Sequence, residues 1–138
     1  MGSPERILGV AQRVKCYVDK GDKVVVVVSA MSGETNRLVA LGEDVWGQQF
    51  NHSELDVLYS SGEQVSIALV SLALEKIGVQ ARSFLADQIP LRTDEEFGKA
   101  RIIEIGKESL EQAITNGIVP VVAGFQGSTT DGLSLIHI

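Results

Sequence analysis

Five consecutive valines, Val24 to Val28, run directly into Ser29-Ala30-Met31-Ser32-Gly33-Glu34-Thr35-Asn36. β-Branched side chains are stiff at χ1 and favour a pleated, extended backbone. An unbroken apolar run of this kind is expected to be buried on both faces, as in a parallel sheet covered by helices. Polarity changes abruptly at the carboxyl end of the strand, which is where open α/β sheets bind small molecules. The turn from Ser29 to Thr35 is therefore a candidate ligand-binding element.

The rest of the chain alternates helix and strand patterns. Ser3-Pro4-Glu5 is a helix start, and Ile7, Val10, Ala11, Val14 and Val18 follow at helical spacing. A second helix is expected from about Asn36, turning Leu38, Leu41 and Val45 inward, with Gly47 to His52 as a loop and Trp46 and Phe50 as packing residues. Helical patterns over Ser53 to Tyr59 and Glu63 to Ile77 are separated by Ser60-Ser61-Gly62, and Gly78 is a C-cap. Val79 to Leu85, Arg101 to Ile105 and Ile118 to Ala123 read as strands. Leu110 to Thr115 reads as a helix closed by Asn116-Gly117. This order implies an α/β fold with a mostly parallel sheet.

Composition narrows the function classes. A net charge of -6 over 138 residues offers no basic footprint for nucleic acid. Cys16 is the sole cysteine and sits on a helical pattern, so it forms no internal disulfide and belongs to no zinc-type pair. His52 and His137 are isolated and propose no metal site. No signal peptide and no long apolar span stand out, so a cytoplasmic location without membrane attachment is expected. Lys99 and Arg101 fit either a solvated face or the approach to an anion.

Three polar turns could share one pocket: Ser29 to Thr35, Ser60 to Gln64, and Gly124 to Gly127. Amides at helix starts suit carboxylate or phosphate, whereas Glu63 suits an ammonium group. Each segment also has a purely structural reading. Ser60-Ser61-Gly62-Glu63 can cap a helix, and Ser29 with Ser32 can close a turn. No Walker loop, dinucleotide fingerprint, HExxH or nucleophilic triad accompanies them.

The blocks together carry more than any one of them. Val-Ser-Ala-Met-Ser-Gly-Glu-Thr-Asn within 28–36, Ser60-Ser61-Gly62-Glu63-Gln64-Val65, the stretches 87–94 and 98–103, and Val119 to Gly127 resemble, in the same order, segments of bacterial aspartate kinases. The resemblance runs from Gly2 to Gly127. It implies the amino-acid kinase fold, a partial αβα sandwich on a mostly parallel sheet. It also implies transfer of the ATP γ-phosphoryl group to the β-carboxylate of L-aspartate, with Mg2+ on the nucleotide, as the entry step to lysine, threonine, methionine and diaminopimelate synthesis. Carried over by position, it makes Ser29, Thr35 and Glu63 substrate-binding residues. Gly124, Gln126 and Gly127 would form a loop near the reacting groups. Another amino-acid kinase activity, or a noncatalytic α/β binding module, is the competing expectation.

The same resemblance places a catalytic lysine (in Lys-Phe-Gly-Gly-Thr-Ser, with the first strand) before Gly2. An acidic catalytic residue (in Gly-Arg-Gly-Gly-Ser-Asp) and regulatory ACT domains would follow the chain, and a homo-oligomer or regulatory-subunit assembly would follow from them. Residues 1–138 are thus expected to be the N-terminal portion of a catalytic domain, inactive and marginally stable in isolation. The segment 133–138 departs from the pattern as a truncation or assembly artefact would.

Overall fold

A computed structural model describes residues 2–47, 53–89, 91–94, 101–128 and 133–135. Helix α1 (Pro4–Val18) leads to strand β1 (Val26–Val28), then to α2 (Glu34–Trp46) and the long α3 (Ser53–Lys76). Strands β2 (Ala81–Phe84), β3 (Leu91–Thr93) and β4 (Ile102–Ile105) precede α4 (Glu108–Thr115). Strands β5 (Val119–Ala123), β6 (Gln126–Ser128) and β7 (Leu133–Leu135) follow it. Phe50, His52, Lys99 and His137 lie outside the described residues, as does most of the expected 47–52 loop.

The central sheet has the order β1-β5-β2, all parallel. Strand β5 lies between the other two and is buried along its whole length. Its alternate residues serve opposite faces, as the two-residue strand period requires. Val119, Val121 and Ala123 join Ile7, Ala11 and Val14 of α1 and Ile67, Val70, Ala73 and Leu74 of α3 in one core. Val122 packs on the other face with Phe84, Ile89 and Ala113 of α4. Helices thus cover both faces, giving the expected αβα arrangement. A second, mixed sheet has the order β4-β3-β6-β7.

Local chemistry explains the boundaries. Ser3 Oγ accepts from Arg6 N at 3.4 Å, and Pro4 occupies the first turn of α1. Gly78 takes φ +83, and Val79 N donates to Leu74 O at 3.0 Å, closing α3 with a left-handed cap. Gly117 ends the α4 segment in the same way, at φ +75.

Several expectations need correction. The valine strand is not buried on both faces: Val28 is core, but Val27 is 65% exposed. The reason is position, because α4 packs over the β5–β2 side of that face and not over β1. The doubly buried strand is β5. In α2, Leu38 and Gly42 are the buried residues, whereas Leu41, Val45 and Trp46 are exposed along a groove completed by Leu55 and Leu58. Trp46, at 65% exposure, is not a core packing residue. With two-thirds of the ring exposed, Trp46→Ser should cost less than about 2 kcal/mol of unfolding free energy. Denaturant titration checks this, and a loss above about 2 kcal/mol would mean the ring is packed.

Helix α3 is also not divided at Ser60-Ser61-Gly62; it is continuous over 24 residues. By length and composition it could cross a membrane, with mean hydropathy 1.3. Here it is the central helix, packed on α1 and the parallel sheet with Asp56 and Glu63 among its buried residues.

Candidate functional site

The carboxyl ends of β1 and β5 and the middle of α3 meet at one place. Gly124 N donates to Val28 O at 2.8 Å, so the two strands remain joined one residue past β5. A Cβ on Gly124 would sit 3.0 Å from that same carbonyl oxygen, which explains a glycine there. Phe125 then adopts φ +65, and the chain turns into β6.

Gly62 makes the closest approach on the helix side. A Cβ at Gly62 would lie 2.9 Å from Ala30 Cβ and 3.5 Å from Glu34 Cγ and Leu38 Cδ1. The mid-helix glycine therefore lets α3 lie directly against the turn that follows β1 and the start of α2. Ser60 Oγ and Ser61 Oγ donate back to Val57 O (2.8 Å) and Leu58 O (2.7 Å), so both hydroxyls are satisfied inside the helix without ending it. The capping interpretation of Ser60-Ser61-Gly62-Glu63 is thereby excluded.

Glu63 is 2% exposed. Its Oε1 accepts from Ala30 N at 2.9 Å, tying helix to turn across 33 residues of sequence. Its Oε2 is buried with no hydrogen-bond partner among the described residues. Burial pushes the carboxyl above the usual carboxylate range, and the Ala30 N–H only partly opposes this. A donor reaching this oxygen would complete it, and a positively charged one would favour the ionised carboxylate.

Gln126 is 1% exposed, and its Nε2 donates to Ser60 O at 2.8 Å. Its Oε1 is likewise buried and unpartnered. Gly127 is buried in β6, opposite Ser134 of β7. Gln126 thus bonds to α3 one turn before Glu63, while Gly124 lies against β1, and Gln126 begins a strand instead of lying in an open loop.

Ser29 is exposed just beyond β1, and Thr35 is half-buried in the first turn of α2. Gly33 precedes that helix at φ +83, and Glu34 N donates to Met31 O at 3.0 Å. Glu34 is committed to Arg37 through bonds of 2.6 and 3.0 Å, which holds its carboxyl below the usual range. The structure accordingly brings the Ser29–Thr35 turn, Glu63 and Gln126 around the ends of two parallel strands. Sequence reasoning missed the Ala30 amide, the Ser60 carbonyl and Gly62. A glycine inside an apolar helical pattern was the available sign of close backbone approach.

Among the described residues no group of three His, Cys, Asp or Glu side chains could hold a metal ion. Arg37, one cation beside the turn, is paired with Glu34.

The family model described as the amino acid kinase family matches residues 1–137. An aspartate kinase of Stutzerimonas stutzeri is 49% identical over 132 residues, covering 96% of this chain and 32% of that protein. An aspartate kinase of Pseudomonas fluorescens is 50% identical over 133 residues, with the same coverage. The crystal structure of aspartate kinase from Synechocystis superposes with a TM-score of 0.77 at 41% identity, covering 99% of this chain and 22% of that one. The chain thus spans about a third of the length of the curated relatives it matches. Parallel sheet order, helices on both faces and a polar cluster at the strand ends agree with this match, and the chain belongs to the amino acid kinase family.

Proposed function

We propose that this chain forms the amino-acid-binding part of an aspartate kinase, which transfers the γ-phosphoryl group of ATP to the β-carboxylate of L-aspartate and gives 4-phospho-L-aspartate and ADP. The observation that carries the reading is the Glu63 carboxylate, half satisfied by Ala30 N–H and otherwise buried without a donor. The α-ammonium group of aspartate would supply that donor. Ser29 and Thr35, on the turn that Glu63 anchors, would hold substrate oxygens through hydroxyl and amide donors at the start of α2. Identity of 48–50% to several bacterial aspartate kinases supports this substrate over other amino acids.

Phosphoryl transfer depends on alignment of nucleophile and phosphate and on stabilisation of charge at the transferring oxygens. The residues described here contribute alignment: they bind aspartate and orient its β-carboxylate. ATP and Mg2+, together with the catalytic lysine and acidic residue, are assigned by the family resemblance to other parts of the polypeptide. On this reading residues 1–138 belong to a catalytic domain of a cytoplasmic biosynthetic enzyme that works as a homo-oligomer or with a regulatory subunit.

The product of the complete reading frame, read to its stop codon and back to its start, should release ADP from MgATP only when L-aspartate is present. Release that is independent of aspartate, or that follows a different amino acid, would overturn the proposal.

A further inference from the structure

Gln126 is buried, lies 66 residues from its partner in sequence, and makes a bond that the turn itself does not need. Its amide donates to the Ser60 carbonyl, one helical turn before Glu63. That stretch of α3 is intrinsically weak. Two serines and a glycine in succession are poorer helix formers than alanines. Both serine hydroxyls bond back onto Val57 and Leu58 carbonyls, an arrangement that bends helices. The helix is nevertheless pinned on two sides here: by Ala30 N–H on Glu63 from the β1 turn, and by Gln126 from β6.

We infer that Gln126 is a positioning residue for Glu63, holding the Ser60–Glu63 turn of α3 so that the free carboxylate oxygen stays buried and directed to the substrate ammonium group. This inference rests on the proposed aspartate-kinase reading and adds to it a residue that acts through another. Because Ser60 O can only accept, Nε2 is the atom facing it. The unpartnered Oε1 of Gln126 is then a second buried acceptor beside the same helical turn. Two acceptors without donors keep the local potential negative, which favours a cation and disfavours an anion.

The test uses the product of the complete reading frame with Gln126→Met, which keeps volume without hydrogen bonding, and Gln126→Glu, which keeps shape but loses the donor when ionised. Both should raise the KM for aspartate at least about tenfold, the equivalent of one charge-assisted hydrogen bond, and leave the KM for ATP unchanged. In Gln126→Met the acid limb of kcat/KM for aspartate should also move to lower pH, because a loosened Glu63 is better hydrated. A merely structural role would lower the active fraction without moving that limb. Unchanged aspartate KM and pH profile in either folded, active variant would overturn the inference and leave the function standing. Should Gln126→Met fail to fold, Gln126→Glu decides by its aspartate KM. Should the unaltered enzyme not use aspartate at all, both the function and this inference fall.

Discussion

Glu63→Ala should reduce kcat/KM for aspartate by about a thousandfold, because truncating one side of a buried charge pair costs about 2–5 kcal/mol and each 1.4 kcal/mol is a factor of ten. The alanine removes both the acceptor for Ala30 N–H and the free carboxylate oxygen. Glu63→Gln separates these two roles. Its carbonyl can still receive the Ala30 amide, but it brings no negative charge, so aspartate use should fall nearly as far. Stability should move the other way. Burial raises the folded-state pKa of Glu63 above 4.5, so between the unfolded and folded values the native state binds more protons. The Glu63 contribution is therefore fully present below about pH 4.5 and is lost as pH rises through the folded pKa. At neutral pH, Glu63→Gln should raise the Tm of the ligand-free protein, and the gain should vanish in acid. Thermal unfolding across this pH range, paired with aspartate kinetics, checks both halves. Retained aspartate efficiency in Glu63→Gln would contradict the ammonium role, and a pH-independent Tm difference would contradict the buried charge.

Gly62→Ala should be damaging although it adds only one methyl group. Helix propensity alone predicts a gain of about 1 kcal/mol. The new Cβ, however, would lie 2.9 Å from Ala30 Cβ, closer than real carbon atoms approach. Overpacking of this kind costs about 1–3 kcal/mol and is relieved by moving α3 away from the β1 turn. That movement stretches the 2.9 Å bond between Ala30 and Glu63. We expect a net destabilisation of up to about 2 kcal/mol and at least a tenfold loss of aspartate kcat/KM. Gly62→Ala with Ala30→Gly removes the collision and should recover most of the loss, which makes a double-mutant cycle the appropriate measurement. Gly9→Ala is the control. Nothing lies within 4 Å of its would-be Cβ on exposed α1, so it should stabilise the protein by up to about 1 kcal/mol. Additive effects of Gly62→Ala and Ala30→Gly would rule out the proposed contact.

Much of the architecture was legible from local pattern. The α1 start at Ser3-Pro4, the Gly78 cap, the short apolar β5 and the order of helices and strands follow from propensity, capping and periodicity. The misreadings share one cause. Ser60-Ser61-Gly62 has the composition of a break, but tertiary packing overrides a propensity deficit when the helix lies against a complete core. Val24 to Val28 has the composition of a doubly buried strand, but cover by neighbouring helices depends on where a strand lies in the sheet. The same holds for Leu41, Val45 and Trp46, whose apolar character made them look internal although they line an open groove.

The site divides along the same line. The valine-to-serine transition, the acidic residue after Ser-Ser-Gly and the Gly-Phe-Gln-Gly turn were visible as chemical types in a row, and their joint order carried the family likeness. Which atoms meet was not visible. Ala30 contributes a backbone amide and Ser60 a backbone carbonyl, neither of which has a signature in residue type, and Gly62 shows as a glycine in a helical pattern without showing what it lies against. The amino-acid sequence alone determined the elements, their order and the set of polar groups available at the strand ends, because these depend on neighbours along the chain. Only the tertiary structure decided that Glu63 loses its water, keeps one fixed partner and leaves one oxygen without a donor, because solvation and hydrogen-bond geometry depend on residues that are 33 and 66 positions apart.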